Sequence, residues 1–424
     1  MFKRILAVAL VVALTVTLLA GCTGKKAEEP KPAEPKKEPV TITYMTFTAA
    51  PDHIKDLDAI VKAFEAKNSD IKVQVQPVAW NDYWTKLQTA VAGGTAPDAF
   101  ELNYENFVSY AKKGALLDMT TLIANDKSFD PKVYYPKAYQ VFQYSGKQYG
   151  LVETFSNVLL FYNKDLFDKA KVDYPKADWK WDDEIKAAQK LTDAKAGVWG
   201  TFAPIQFWEF YKVIAQNGGK ILDGDKVVID SKENVEALKY MVDKIRTYKV
   251  TPTDAQMGGQ KEEDLFKAGK LAMLHTGIWM FGAFKDVPFK WDIALEPGNT
   301  QKAHHFFSNA VAISKDTKKA EAAWKWAKFL TSSPEASKIR VEASWELPAL
   351  SDPKLVEGYL KQTPPPSRQV VFDALNSPVV PPVIDKWNEM TDQIGKELDQ
   401  AKLGNITPAE ALANAKKKLE ALVK

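Results

Sequence analysis

From Val40 onward, short β-branched and aromatic runs alternate with amphipathic helical segments, and this alternation restricts the fold more than any other feature. "VTITYMTFT" reads as a strand. "DHIKDLDAIVKAFEAKN" sets Ile54, Leu57, Val61 and Phe64 on one helical face. "DIKVQVQPV" alternates Ile71, Val73 and Val75 as a second strand. "NDYWTKLQTAVAGG" reads as a helix that stops on Gly93-Gly94, and "APDAFELN" as a third strand. Strand, helix, strand, helix, strand predicts a mainly parallel sheet covered by helices, an α/β fold.

The pattern then breaks and resumes. "YSGKQYGLVETFS" predicts a turn at Ser145-Gly146 followed by an extended run. The helix "WDDEIKAAQKLTDA" precedes a strand, "GVWGTFAP", and "FWEFYKVIAQNGG" is a helix ending on paired glycines. Asp230 and Glu233 have the spacing of a capping box at the start of the next helix. "KEEDLFKAGKLAMLHTGIWMFGAF" reads helix, strand, helix. "FKWDIALEP" and "HHFFSNAVAISK" read as strands, the second with one of His304 and His305 inward and the other outward. A helical tail follows, its last helix opened by Thr407, Pro408 and Glu410.

The N-terminal segment has a different character. Lys3 and Arg4 precede an apolar run from Ile5 to Ala20, then Gly21 and the chain's single cysteine, Cys22. A basic start, an apolar centre and small residues match a secretory leader; a transmembrane anchor is the alternative, at the short edge of the ~20 residues a span needs. Leu19-Ala20-Gly21-Cys22 also matches the bacterial lipid-attachment pattern, in which a thiol takes a diacylglyceryl group. Residues 23–39 hold only Lys, Glu, Pro, Ala, Thr and Gly. Such a stretch cannot bury enough surface to order itself, and its prolines favour an extended tether of up to roughly 50 Å.

A lone cysteine permits no intrachain disulfide, and about 385 residues beyond the leader build one or two cores without one. The formal charge is +3, or +1 without Lys3 and Arg4, so nothing draws the chain to nucleic acid. His53, His275, His304 and His305 lack the spacing of a metal site, and no metal or cofactor is expected. No GxGxxG, GxxxxGK[ST] or GxSxG motif occurs. Tryptophan is the informative residue, with twelve in the chain. Trp199, Trp291, Trp324 and Trp326 read as core, while Trp80, Trp208, Trp279 and Trp345 lie at element ends. Rings at the carboxyl ends of strands suit ligands with flat apolar faces, such as sugars, whose hydroxyls need carboxylate and amide partners.

Five stretches carry a family resemblance, in order along the chain: "WNDYWTKLQTAVAGGTAPDAFELN", "FYNKDLFDKA" with "WKWDDEIKAAQKLT", "FKAGKLAMLHTGIW", "AAWKWAKFLTSSPEA" and "LPAL". Together they resemble the family 1 extracellular solute-binding proteins of bacterial ABC importers. The resemblance implies a two-lobed type II fold that closes on its ligand at a hinge. It implies a leader over residues 1–21, a lipidated Cys22 and tether over 22–39, one lobe of 40–154 plus 297–333, and a second of 155–296 plus 334–424. Chain crossings are expected near Glu153–Asn157, Glu296–Pro297 and Ser332–Pro334.

The ligand-binding residues so implied are Trp279, Trp208, Asn103, Tyr104, Glu153, Trp345, Glu346 and Trp387, with Trp80 added from its place at an element end. The expected role is capture of a carbohydrate by a monomer, lipid-anchored outside the cell membrane, for delivery to ABC permease subunits. No catalysis is expected. A non-sugar solute, a sensing role, and a surface glycosidase with paired carboxylates are the alternatives.

Overall fold

The computed structural model describes residues 38–48 and 50–423. The expected leader, Cys22 and the tether through Lys37 lie outside them. Strand β1 (Val40–Thr46), helix α1 (Pro51–Lys67), strand β2 (Ile71–Pro77), helix α2 (Trp80–Ala92) and strand β3 (Ala99–Asn103) open the chain. The three strands run parallel with β1 in the middle, as helical crossovers require. Helix α2 stops where Gly94 takes a left-handed φ of 67°, which costs glycine little. Helix α3 (Tyr104–Lys112) follows β3 directly.

Strand β4 (Gly150–Ser156) runs through Asn157 into β5 (Val158–Asn163). Helices α4 (Trp181–Leu191), α5 (Phe207–Gln216) and α6 (Lys232–Arg246) come next. Strands β6 (Met273–Gly277) and β7 (Trp291–Ala294) flank β5 antiparallel and complete a second sheet. The chain returns through β8 (His304–His305) and β9 (Phe307–Ile313). Helices α7 (Ala320–Ser332) and α8 (Pro334–Glu342) precede β10 (Leu347–Pro348). Strand β11 (Pro378–Val379) pairs with β8, and helices α9 (Trp387–Leu403) and α10 (Pro408–Val423) end the chain. The first sheet has the order β10-β4-β9-β3-β1-β2.

Alternation along the strands divides the side chains between two cores in each lobe. In the first sheet Ile42, Tyr44, Ala99, Leu151, Val311 and Ile313 pack on one face under α1 and α7. Met45, Phe100, Leu102, Val152, Ala310 and Ala312 pack on the other under α2 and α3. In the second sheet Leu159, Phe161, Leu274 and Ile293 face one core, and Leu160, Tyr162 and Met273 the other. Phe161 stacks on Trp291 at 5.5 Å and 14°. Such pairs add about 1 kcal/mol beyond burial. The tail helices pack on α5 and α6 through Met390, Ile394, Leu398 and Leu412. Trp199, Trp291, Trp324 and Trp326 are all buried.

Several local expectations need correction. In the first sheet only β1–β2 and β1–β3 pair in parallel; β9 pairs antiparallel with both β3 and β4, so β4 runs the same way as β1–β3, β10 is antiparallel to β4, and the second sheet is antiparallel throughout. The reason is that β9 arrives from the second lobe and not through a helical crossover on its own sheet. "GVWGTFAP" forms only isolated bridges, Val198 to Asp193, Trp199 to Leu271 and Phe202 to Leu274. Ser231, not Asp230, caps α6 by accepting from the Asn234 amide at 3.3 Å. The return to the first sheet falls at Phe306, not Glu296–Pro297, because Asn299, Thr300 and Gln301 bond back to the Gln216 carbonyl of α5. The segment 334–350 stays with the first lobe, since Trp345 joins its core and β10 joins its sheet.

His304 and His305 do not alternate in and out; they are 0% and 1% exposed. Covering β8 on both faces requires neutral rings, and burial lowers His304 to about 4 and His305 to about 3. Unfolded imidazoles bind protons from about pH 6.5, so this contribution to stability is complete above that pH. It is lost as pH falls toward 4, at about 1.4 kcal/mol per pH unit for each ring. Urea unfolding at pH 7 and pH 5 should show a lower midpoint at pH 5, and His304→Leu should show a smaller difference. Identical pH slopes in the two proteins would contradict a buried neutral His304.

Candidate binding cleft

The carboxyl ends of the parallel strands converge with β9 at one edge of the first sheet. Asn103 ends β3 and caps α3, its side chain accepting from the Asn106 amide at 3.3 Å. Across the ladder Asn103 faces Asn309, Asn309 faces Thr154, and Phe307 faces Ser156. Over this edge sits Glu346, whose carboxylate accepts from Thr154 Oγ1 at 2.6 Å, Ser156 Oγ at 3.2 Å and Asn309 Nδ2 at 3.3 Å. Asn103 and Glu346 therefore belong to one polar ridge, joined by Asn309 and Thr154. Tyr104 adjoins it, half-buried. Just past β1, Phe47 meets Trp80 edge-on at 5.0 Å and Trp84 at 5.8 Å. Trp80 is 49% exposed, so α2 begins with an aromatic face open to solvent.

A second group of rings meets this ridge at Phe307. His305 stacks on Phe307 at 5.0 Å and 19°, and Trp279 lies 6.1 Å from Phe307 on another side. Trp208 lies 5.5 Å from His305, whose Nε2–H donates to the Trp208 carbonyl at 2.6 Å. The result is a continuous row: Trp208, His305, Phe307, Trp279. Both tryptophans are half-buried. Gly277 leaves room for the Trp279 ring, because a Cβ there would fall 2.0 Å from it. Trp387 is held further back, edge-on against Phe207 at 5.3 Å. Two residues before it, Asp385 takes the Lys112 ammonium of α3 at 2.5 Å.

Behind the row lies a buried ionic network. The Lys212 ammonium is 2.5 Å from Glu209 and 2.5 Å from Glu296. His275 Nδ1 is 2.7 Å from Glu296, and its Nε2 is 3.0 Å from Glu184. Lys244, Tyr240 and Thr201 complete the surroundings of Glu184. Burial opposes charge on Glu184, but Lys244 and His275 hold it well below the usual range. The two carboxylates raise His275 against burial, while burial raises Glu209 despite Lys212. Glu209, His275 and Glu296 place ligand atoms within 4.8 Å of one another, as a cation site does. Here the bridging cation is the chain's own lysine.

Two expected contacts lie elsewhere. Glu153 is 4% exposed and pairs with Arg340, while Trp345, also 4% exposed, stacks on His53 at 4.7 Å and under Arg340 at 4.1 Å. Glu153 is the bulged residue between the Asn309–Thr154 and Ala310–Val152 pairs, and its carboxylate turns to Arg340 and the Tyr44 hydroxyl in the buried core. Sequence reasoning missed Phe47, His305 and Phe307. The signal for the last two was present: "HHFF" sets an aromatic run where the chain re-enters the first sheet.

A family model for bacterial extracellular solute-binding proteins matches residues 50–337. The ABC substrate-binding protein Lmo0181 from Listeria monocytogenes, solved in complex with cycloalternan, is 52% identical. It superposes with a TM-score of 0.88, over 91% of this chain and 99% of that one. The maltose-bound T. maritima MalE3 is 25% identical, with a TM-score of 0.79 over 90% of this chain and 100% of that one. The arabinooligosaccharide-binding protein of Bacillus subtilis (strain 168) is 27% identical over 354 residues, 79% of this chain and 78% of its own. With its two sheets, its crossing at Asn157 and these matches, the chain belongs to the bacterial extracellular solute-binding proteins and works outside the cytoplasm.

Proposed function

We propose that this protein captures an oligosaccharide, most favourably a cyclic one of the cycloalternan kind, and hands it to an ABC permease. The aromatic row beside the polar ridge carries the reading. Rings at Trp208, Phe307 and Trp279 offer apolar faces to sugar rings, while Asn103 and Glu346 accept or donate at hydroxyls. The 52% identity to a cycloalternan complex supports a cyclic ligand in particular. A closed ring is preorganised, so it loses less freedom on binding than a linear chain of equal size. Glu153 and Trp345 support the sheet beneath and are left out of the contact set. Trp80 and Trp387 flank it, and Tyr104 borders the ridge.

We further propose that the protein is a monomer held at the membrane by a diacylglyceryl group on Cys22. Two acyl chains suffice for stable anchoring where one is marginal. Among the described residues no helix is long and apolar enough to cross a membrane.

Calorimetric titration should give tighter binding of cycloalternan than of maltotetraose, with quenching of tryptophan fluorescence and a raised Tm. No response to either, or to an arabinooligosaccharide, would sink the sugar assignment. Trp279→Ala should weaken binding about tenfold or more, roughly 1.4 kcal/mol. Gly277→Ala should do the same by displacing the ring while leaving Tm within about 2 °C, since Gly277 has an ordinary φ of −90° that alanine tolerates. Unchanged affinity in Gly277→Ala would show that the ring position is irrelevant. Cys22→Ala should move the protein from the membrane to the soluble fraction of cell lysates and medium with the same ligand affinity; retention at the membrane would refute the anchor.

A further inference from the structure

We infer that Lys212 is a positioning residue for the ligand-facing aromatic row: it holds Trp208, Trp279 and His305 in one geometry through a buried ionic bridge. This rests on the reading that the row takes the ligand. The three rings come from three separate segments, α5, the turn after β6, and β8. No shared helix or ladder fixes their spacing; the His305–Trp208 carbonyl bond ties β8 to α5 but leaves the turn that carries Trp279 unlinked to either. Each segment, however, sends one charged group into the same buried cluster. Glu209 and Lys212 follow Trp208 on α5. His275 precedes Trp279 by four residues on β6. Glu296 lies on the stretch leading into β8.

The bonds close the cluster in one arrangement. Lys212 reaches Glu296 at 2.5 Å, and Glu296 reaches His275 at 2.7 Å. Both imidazole nitrogens face carboxylate oxygens, at 2.7 and 3.0 Å, and a neutral ring could donate to only one. An imidazolium satisfies both. Three carboxylates, Glu184, Glu209 and Glu296, then balance Lys212, Lys244 and His275 in charge. Such pairs are steep in distance in a water-free interior. Sliding α5 by an ångström would separate Lys212 from Glu296 and carry Trp208 away from His305 and Phe307. Apolar packing alone, being non-directional, sets no such register.

Stability and positioning can be separated. Lys212→Met leaves Glu209 and Glu296 buried without their cation and should lower Tm strongly. Glu209→Gln combined with Lys212→Met removes one charge of each sign, and replacing a buried pair by neutral groups is often harmless to stability. The double variant should therefore regain a Tm near that of the parent. It should still bind cycloalternan at least tenfold more weakly, with an altered near-ultraviolet circular dichroism band from its tryptophans. A double variant with parental Tm, parental affinity and an unchanged band would overturn the inference. If the parent protein binds no sugar, the functional reading fails; the tryptophan band, which needs no ligand, still decides whether Lys212 positions the rings.

Discussion

A lysine ammonium with 1% of its side chain exposed is the most demanding requirement in the second lobe. Taking one such charge out of water costs several kcal/mol even after relaxation, and its repayment requires good geometry with partners on every side. Lys212 meets the requirement by sitting equally close to Glu209 and Glu296. That choice propagates. Glu296 needs His275, His275 then needs Glu184, and Glu184 needs Lys244, Tyr240 and Thr201. Helices α4, α5 and α6, strand β6 and the stretch after β7 are tied by one set of directional bonds. The apolar cores around them supply most of the folding free energy, but they do not by themselves choose among registers a fraction of a turn apart.

The first lobe solves a related problem with arginine. Arg340 on α8 pairs with Glu153 on β4 and lies over Trp345, while Glu101 on β3 bonds Thr46 at the end of β1. Burial, and next the Glu153 charge, push Glu101 well above the usual carboxylate range. Burial raises Glu153 as well, and the Arg340 guanidinium opposes the rise on both carboxylates. The consequence reaches the ridge above. With Glu153 committed to Arg340, Thr154 and Ser156 hold Glu346 at the edge.

The parts of the fold governed by local periodicity were legible in the sequence. Parallel β1, β2 and β3, the glycine stop after α2 and the Thr407–Glu410 box all depend on neighbours within a few residues. What was hidden depends on distant partners. Glu209 and Lys212 have the spacing of an ordinary solvent-exposed helix pair; they are buried only because α9 closes over α5 and Glu296 arrives from elsewhere. Glu153 looked like a cleft residue because Arg340 lies 187 positions away. The His304-His305 alternation failed because both rings are buried, His305 between the Trp208 segment and Phe307. Of the proposed site, Trp208 and Trp279 were readable as end-of-element rings and Asn103 and Glu346 only through the family resemblance, and their linkage through Phe307 was not readable, since it follows from the ladder register of β9.

That register places binding chemistry on the hinge itself. The chain passes between lobes at Asn157 and again at Phe306, and the two crossing strands lie side by side, Phe307 opposite Ser156. Asn157 is tied twice into the second lobe: its carbonyl accepts from the Ile278 amide just before Trp279, and its side chain donates to the Val371 carbonyl at 2.8 Å. A ligand resting on Phe307 and Trp279, as proposed, would touch the strands that any closing motion must bend. Its contact energy depends directly on the lobe angle, which is the condition for a ligand to bias that angle. A ring already closed and stiff gains most from a wall that is equally stiff, because neither partner then loses freedom on contact. On the reading proposed above, the stiffness would come from the buried charges behind the wall, and selectivity for ligand shape would be set by groups outside the ligand contacts.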